Sequence, residues 1–422
     1  MMRKREFENL LKEYFKNNKI TSDLYAKIKM KKKDADYSVQ NLIYPELIKN
    51  SNENVRYNLI LPSFNKAIVF GGVATALTVF DGISDSNIEK RIIIFGDEFY
   101  NRKLTYKHKN FKHNGEREGI FFLAENPQIE VRKKDIFILT NWESAYIFFN
   151  VIDWQKQVYN MPNVKAIYLI QDYEPGFSAW SSQFLLADST YKSHANETIA
   201  VFNSKELYDY FKQNNYNFYK EFYFLPKLNR GLRNQLVGQP PQNKREKLIL
   251  LYGRPSSLRN AYGLLIDVLD VFSKNYERAN EWKIISLGEK HNNIFLKNNT
   301  IYSYGKVTLQ EYGELMLKAY AGISLMASPH PSYPPLEMSS FGLKVITNRF
   351  ANKDLSYFNN NIHSVTECQP TFIAHELMKI CDDYYSDNYG NIIVNENYIN
   401  DSAFDILIKK VKCELKSNLG GE

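Results

Sequence analysis

The 422-residue sequence has little cysteine and no long hydrophobic run. Its three cysteines, Cys368, Cys381 and Cys413, are odd in number and share no metal-ligand spacing, which predicts a reducing compartment and inert, buried thiols. No apolar window of about 18 residues is present, and the basic start Met-Met-Arg-Lys-Arg lacks the apolar stretch of a signal peptide. We therefore expect a cytoplasmic protein.

Strong charge of either sign is also missing, since the formal net charge is +7. The excess of base is concentrated at the N-terminus, where lysines and arginines surround an apolar stripe at helical spacing: Phe7, Leu10, Leu11, Tyr14 and Phe15. Two interpretations stay open. This helix lies on anionic lipid at the inner face of the membrane, or it packs on its own domain with a solvated basic face. No recognition module accompanies the charge, so nucleic acid is not an expected partner.

No metal site is predicted. Asp34 and Asp36 form an Asp-x-Asp pattern, but they follow a lysine run and not a buried strand. So short a motif recurs by chance and needs its structural context.

The length exceeds what one hydrophobic core usually holds, so we expect two domains. Short apolar runs alternate with helix-length segments, which is typical of a doubly wound parallel sheet. The predicted divisions are an N-terminal domain over 1–228, a polar linker over 229–247, a second domain over 248–395 and a final helix within 396–422. Within the N-terminal domain, residues 1–50 are expected to be helices and loops that precede the first core strand.

The most informative stretch is residues 320–348. An apolar strand over 321–326 precedes four prolines that prevent regular structure until about residue 334, where a helix can begin. Glu337 is expected in its first turn, and Gly342 closes it. The N–H groups of such a helix start can bind phosphate, and a nearby carboxylate can accept hydrogen bonds from sugar hydroxyls. The alternative is an ordinary helix start stabilised by a glutamate.

Basic residues follow two other predicted strands. Arg254 and Arg259 lie on the loop after the strand that begins at Leu248, and Lys306 follows a strand over 300–304. Two guanidinium groups on one strand-end loop are suited to gripping a diphosphate, although surface ion pairing is an alternative.

In the N-terminal half, Gly71 and Gly72 come before a helix, where glycine lets the backbone approach a ligand closely. Ligands of doubly wound sheets collect at the carboxyl ends of the strands, which selects the loops 140–143 and 171–174. Asp172 in the second loop can bond a hydroxyl there, or it is an ordinary cap or loop acid.

Two of these segments resemble a known family. Pro-Ser-Tyr-Pro-Pro-Leu-Glu-Met-Ser-Ser-Phe-Gly-Leu-Lys-Val-Ile-Thr resembles the nucleotide-sugar loop of retaining GT-B glycosyltransferases, with Pro329 where a first glutamate usually stands. Ser-Pro-His-Pro-Ser-Tyr-Pro-Pro-Leu-Glu-Met is similar to WsaF-type rhamnosyltransferases, which use dTDP-β-L-rhamnose. The segment from Gly253 resembles Gly-Arg-x-x-x-x-Lys-Gly, with Arg259 and Asn260 replacing the last two residues.

The resemblance implies an α/β protein of GT-B architecture, with two doubly wound Rossmann-like domains facing a cleft and a last helix that crosses back to the first domain. It implies transfer of L-rhamnose from dTDP-β-L-rhamnose to a glycan acceptor, free or lipid-linked, in bacterial surface polysaccharide or S-layer glycan synthesis. Retention of configuration, with no metal and no cofactor, is expected. The alternatives are a UDP- or GDP-hexose donor, and a non-catalytic scaffold that binds nucleotide or glycan.

The same resemblance assigns two sets of residues. The predicted catalytic set is Asp172, Arg254, Lys306 and His330. The predicted donor-binding set is Gly71, Gly72, Arg254, Arg259, Lys306, Ser332, Tyr333 and Glu337. His330 contacts the sugar or the diphosphate, or it only caps its loop.

Overall fold

The computed structural model describes residues 42–63, 71–84, 87–96, 119–236, 245–386, 390–393 and 395–419. The basic N-terminal segment and the Asp34 and Asp36 pattern lie outside these ranges.

The N-terminal half alternates strands and helices. Its strands, β1 to β9, are Glu46–Asn50, Arg56–Leu61, Glu89–Ile94, Ile120–Phe122, Gln128–Arg132, Asp135–Leu139, Ala166–Ile170, Thr198–Phe202 and Lys220–Tyr223. Its helices, α1 to α4, are Gly72–Ile83, Trp142–Val158, Ser182–Thr190 and Lys205–Gln213.

The C-terminal half repeats this alternation. Its strands, β10 to β16, are Glu246–Gly253, Lys283–Gly288, Ile294–Phe295, Thr300–Gly305, Ala319–Ile323, Lys344–Asn348 and Ile362–Val365. The remaining helices, α5 to α11, are Arg230–Leu236, Tyr262–Asn275, Leu309–Lys318, Tyr333–Ser340, Pro370–Asp383, Glu396–Ile399 and Ser402–Leu419.

Each half forms a seven-stranded sheet within the described residues. The first has the order β4-β3-β2-β6-β7-β8-β9 and is parallel throughout. The second has the order β12-β13-β11-β10-β14-β15-β16, in which only β12 runs antiparallel. Because consecutive parallel strands are joined by crossover helices, the carboxyl ends of the strands in each sheet share one edge.

The central strands are apolar and buried because helices cover both faces of each sheet. On the first sheet, α1 and α11 contribute to the core on one face, and α2 and α4 contribute to the core on the other. On the second sheet, α6 and α9 pack on one face and α5, α7 and α8 on the other. The predicted alternation of strands and helices is confirmed over the described residues.

Three local predictions differ from the structure. Residues 1–50 were expected to hold only helices and loops, yet β1 pairs with β5 in a separate two-stranded sheet. The predicted linker contains α5, because Leu232 and Leu236 give that segment an apolar side that packs into the C-terminal core. Cys368 and Cys413 are exposed, and only Cys381 is the buried thiol that was expected.

Candidate functional site

Two basic side chains lie at the carboxyl edge of the second sheet. Arg254 directly follows β10, and Lys306 directly follows β13. In the sheet, β11 lies between these two strands and contributes Glu289 just after its end. Both basic residues are exposed, so their charges face the space above the sheet.

The charges at this edge influence one another. Burial lowers the pKa of Lys306, and the neighbouring Arg254 guanidinium lowers it further. Glu289 Oε2 accepts hydrogen bonds from the Ser256 N–H at 3.0 Å and the Ser256 hydroxyl at 2.7 Å, so the loop after Arg254 is tied to β11. The positive charges of Arg254 and Lys306 therefore repel each other, and binding of an anion between them is favoured. We call these two residues the basic pair.

Glu337 lies on α8, one turn beyond the predicted position. No acidic residue occupies the first turn, which begins at Tyr333. Burial raises the pKa of Glu337 to about 7, and the neighbouring Tyr312 hydroxyl opposes this shift. Glu337 and Arg254 both influence Tyr252, whose pKa is raised mainly by burial. Tyr252 thus lies close to both Glu337 and Arg254.

The start of α8 offers few N–H donors. Pro334 and Pro335 have none, and the N–H of Ser332 is donated to His330 Nδ1 at 3.0 Å. Ser332 has a positive φ of 68°, which turns the chain into the helix. In this arrangement the bond closes the loop, and the binding of the donor by Ser332 and Tyr333 stays a prediction.

That bond fixes the tautomer of His330. Since Nδ1 accepts, the proton of the neutral ring is on Nε2, which is therefore a donor. Nε2 is buried and has no hydrogen-bond partner within the described residues. Burial lowers the pKa of His330 to about 4, and the Asp172 carboxylate opposes this shift without reversing it. His330 both caps its loop and presents a neutral, unpaired N–H.

Asp172 joins the two halves of the chain. Its Oδ1 accepts a hydrogen bond from the Ser328 hydroxyl, and its Oδ2 lies 3.5 Å from Arg259 Nε. The Arg259 guanidinium lies 4.1 Å from the ring centroid of Phe177, which follows Asp172 in the same loop. Both oxygens of Asp172 are thus engaged with the C-terminal half.

Gly71 and Gly72, at the start of α1, lie next to the loop that contains Asp172. Gly71 has a positive φ of 54°, which glycine adopts readily, and a Cβ on Gly72 would lie 3.1 Å from Gln171 Oε1. The Tyr333 hydroxyl lies beside that of Thr75 in the first turns of α1. The structure therefore brings Gly72, the loop after β7 and the start of α8 together.

Sequence reasoning missed several residues of this region. Tyr312 comes from α7 and lies in no motif. Ser328 begins the Ser-Pro-His-Pro-Ser-Tyr segment, but no role was predicted for it. Lys353 is fully buried, donates to the Met326 carbonyl at 2.7 Å and has its pKa lowered by burial to about 8. Among these residues, Ser328 within its motif and Tyr252 beside the Gly-Arg motif could have been found from the sequence.

Across the described ranges, no group of three or more His, Cys, Asp or Glu side chains could hold a metal ion. None of the helices in those ranges is long and apolar enough to cross a bilayer.

Comparison with known proteins gives two family matches. Residues 56–205 match the profile of the WsaF N-terminal domain, and residues 247–378 match that of the WsaF C-terminal domain. Together these segments make up roughly two thirds of the chain.

A curated relative and a solved structure are also similar. The O-antigen biosynthesis protein RfbC of Myxococcus xanthus is 26% identical over 216 residues, which are 51% of this chain but only 15% of RfbC. Sucrose-phosphate synthase from Thermosynechococcus elongatus superimposes with a TM-score of 0.57 at 10% identity, over 86% of this chain and 99% of that one. At this identity the likeness concerns the fold alone, and it confirms the predicted GT-B architecture.

Proposed function

The chain belongs to the WsaF family and has the GT-B fold, and from this premise we propose that it is a glycosyltransferase of bacterial surface-glycan assembly. The observation that carries the proposal is the grouping of Arg254, Lys306, Tyr252 and Glu337 at one edge of the second sheet. A nucleotide sugar needs both kinds of group, cations for its diphosphate and an acceptor for its sugar hydroxyls.

The proposed donor is dTDP-β-L-rhamnose, as the similarity of the proline-rich loop to the WsaF type suggests. Glu337 accepts a hydrogen bond from the 3′-hydroxyl of the deoxyribose, which stabilises the carboxylate that burial disfavours. Arg254 and Lys306 bind the diphosphate, and their charge takes the place that a metal ion holds elsewhere. No cofactor is required.

Two further side chains act at the sugar. His330 donates Nε2–H to an oxygen of the sugar or of the diphosphate, and its low pKa keeps it neutral, so it does not supply a proton. Asp172 positions Arg259 and the loop around Ser328 across the cleft, because its two oxygens are already engaged there.

The proposed reaction proceeds with retention on one face of the sugar. The acceptor hydroxyl oxygen forms a bond to C1 while the bond from C1 to the phosphate oxygen breaks. The hydroxyl proton passes to the departing diphosphate, which also keeps the electron pair of the broken bond. A β-linked rhamnose is therefore expected in the product, and an α-linked anomeric signal by NMR contradicts this step.

The first test is thermal denaturation with dTDP, UDP, GDP, ADP and their sugars, in the presence of EDTA. Binding to the native state alone stabilises it by about 2.7 kcal/mol at a hundredfold excess of ligand over Kd, so the melting temperature rises. We expect a rise with dTDP and dTDP-rhamnose that Arg254→Ala and Glu337→Ala abolish. Arg278→Ala is the matched control, because Arg278 is an exposed arginine stacked on Tyr385.

The other outcomes are equally informative. A rise only with UDP or GDP ligands keeps the fold and discards dTDP-rhamnose as the donor. No rise with any nucleotide contradicts an enzyme and favours the non-catalytic scaffold.

A further inference from the structure

An aromatic side chain stands out of the surface beside the cleft. Trp180 is 91% exposed, the most of any large hydrophobic residue in the described ranges. It lies in the loop between β7 and α3, and its φ of 20° is unusual for a residue with a side chain. Exposed tryptophan on a strained backbone is more typical of a binding surface than of a solvated loop.

The loop holds Trp180 in place. The Ser178 hydroxyl donates to Gln183 Oε1 at 2.7 Å, so this bond joins residues on either side of Trp180 in the sequence. The Ser181 side chain caps α3 by accepting a hydrogen bond from the Phe184 N–H. The ring of Phe184 lies 5.1 Å from that of Trp180, tilted by 36°. Two adjoining rings are thus presented on a fixed turn, and Leu185 next to them is also exposed.

This surface is continuous with the candidate site. The loop starts at Asp172, and three residues before Trp180 it carries Phe177, whose ring contacts the Arg259 guanidinium. Leu258, beside Arg259 on the C-terminal half, is 84% exposed. The rings therefore lie on the N-terminal side of the cleft mouth, where the two halves meet.

Charge narrows the choice of ligand. Residues 178–186, Ser-Ala-Trp-Ser-Ser-Gln-Phe-Leu-Leu, carry no charge. An anionic lipid surface or a nucleic acid would be met by lysine or arginine, and this segment has neither. An uncharged ligand that combines apolar faces with hydroxyls suits rings set among serines and a glutamine.

We propose that Trp180 and Phe184 form a platform for a neutral oligosaccharide, the acceptor chain of the transfer. The electron-rich face of an aromatic ring complements the C–H groups on one face of a pyranose. The platform binds a sugar some way along the chain, while the reacting end reaches Arg259 and His330 in the cleft. This inference rests on the proposed function for its acceptor, but the platform binds glycan independently of the donor.

Tryptophan fluorescence provides the test. The other three tryptophans are shielded to different degrees, with Trp142 and Trp282 buried and Trp154 partly buried. The difference between the wild type and Trp180→Phe therefore reports Trp180. We would titrate neutral trisaccharides of rhamnose, glucose, mannose or galactose and measure how far each protects Trp180 from acrylamide quenching.

We expect at least one trisaccharide to protect Trp180. In calorimetric titration, Trp180→Ala should raise the Kd for that trisaccharide by about tenfold, because one stacked ring is lost. Phe295→Ala is the matched control, because Phe295 is 81% exposed on the antiparallel edge strand of the other sheet. It should bind as the wild type does.

The possible failures can be told apart. If no trisaccharide protects Trp180 while dTDP-rhamnose still raises the melting temperature, the platform is wrong and the proposed enzyme stands. If protection is seen without any nucleotide response, the glycan platform stands and the proposed enzyme falls. A third outcome is that the wild type sediments with vesicles of phosphatidylcholine and phosphatidylglycerol and Trp180→Ala does not. In that case the ligand of Trp180 is a lipid surface and not a glycan.

Discussion

At the scale of single residues, Glu337 shows how burial and function oppose each other. Its carboxyl has a pKa of about 7 in the folded protein, above the ordinary value of 4.5. A raised carboxyl pKa means that the folded state prefers the protonated form. The free energy of unfolding therefore falls as the pH rises from about 4.5 through 7.

Glu337→Gln should stabilise the unliganded protein in a pH-dependent way. The gain should be small at pH 5 and reach the order of 3 kcal/mol at pH 8, because the glutamine has no charge to bury. Melting temperatures of both proteins at the two pH values measure it. The same variant should lose its response to the nucleotide.

Glu289→Gln is the opposite control. Hydrogen bonds from Ser256 lower the pKa of Glu289. Removing this carboxylate should therefore lower the stability of the protein at pH 8 and leave it unchanged at low pH. Equal stabilisation by the two substitutions would show that burial of the Glu337 carboxylate is not the cause.

At the scale of strands, a buried ionic cluster holds the amino ends of three neighbours together. Arg56 at the start of β2 donates to both oxygens of Asp135 at the start of β6, at 2.8 and 2.7 Å. Arg91 of β3 donates to Asn58 Oδ1 at 2.7 Å, and Asn58 donates to Asp135 at 3.1 Å. The cluster is remote from the candidate site because it occupies the opposite edge of the sheet.

Asp135→Ala should destabilise the protein by about 3–5 kcal/mol, since it leaves two buried guanidinium groups without their shared partner. Urea denaturation followed by circular dichroism measures the change. Glu53→Ala, on the exposed turn before β2, is the control and should change stability by less than about 0.5 kcal/mol. A similar loss in both variants would contradict the role of the cluster.

At the scale of the whole molecule, the last helix, α11, packs on the sheet of the N-terminal half. Val411 and Leu415 of α11 lie in the core beside the first sheet, and Ile408 packs on Gly82 of α1, where a Cβ would lie 3.1 Å from it. The helix thus closes a face of the N-terminal sheet although it follows the C-terminal one in the chain.

Val411→Asp should destabilise the N-terminal half by at least about 3 kcal/mol, because it places an unpaired charge in that core. Calorimetry should show a lower transition for this half while the C-terminal half is less affected. Ile406→Asp is the matched control on the same helix, where Ile406 is 53% exposed. Equal transitions for the two variants would mean that α11 does not stabilise the sheet.

Much of the architecture follows from local sequence. The central strands of both sheets and the helix at Gly72 could be predicted from apolar spacing, whereas β4, β5, β9, β12 and β16 could not. Ser204, which accepts from the Leu207 N–H, is a residue type that favours a helix cap. Arg254 and Lys306 could be placed at one edge because parallel strands end together. These features depend on residues that are only a few positions apart, and such short-range spacing can be read from the sequence.

The remaining features depend on how separate elements pack. The sequence by itself determined the two doubly wound sheets and which residues end their strands. Only the tertiary structure decided that Asp172 meets Ser328 and Arg259, that Tyr312 approaches a buried Glu337, and that Asp135 joins two arginines. These contacts join residues far apart in the chain, and burial and partner choice exist only once the sheets and helices have packed. For that reason the strand-end residues could be predicted, whereas the protonation of Glu337 and the engagement of Asp172 could not.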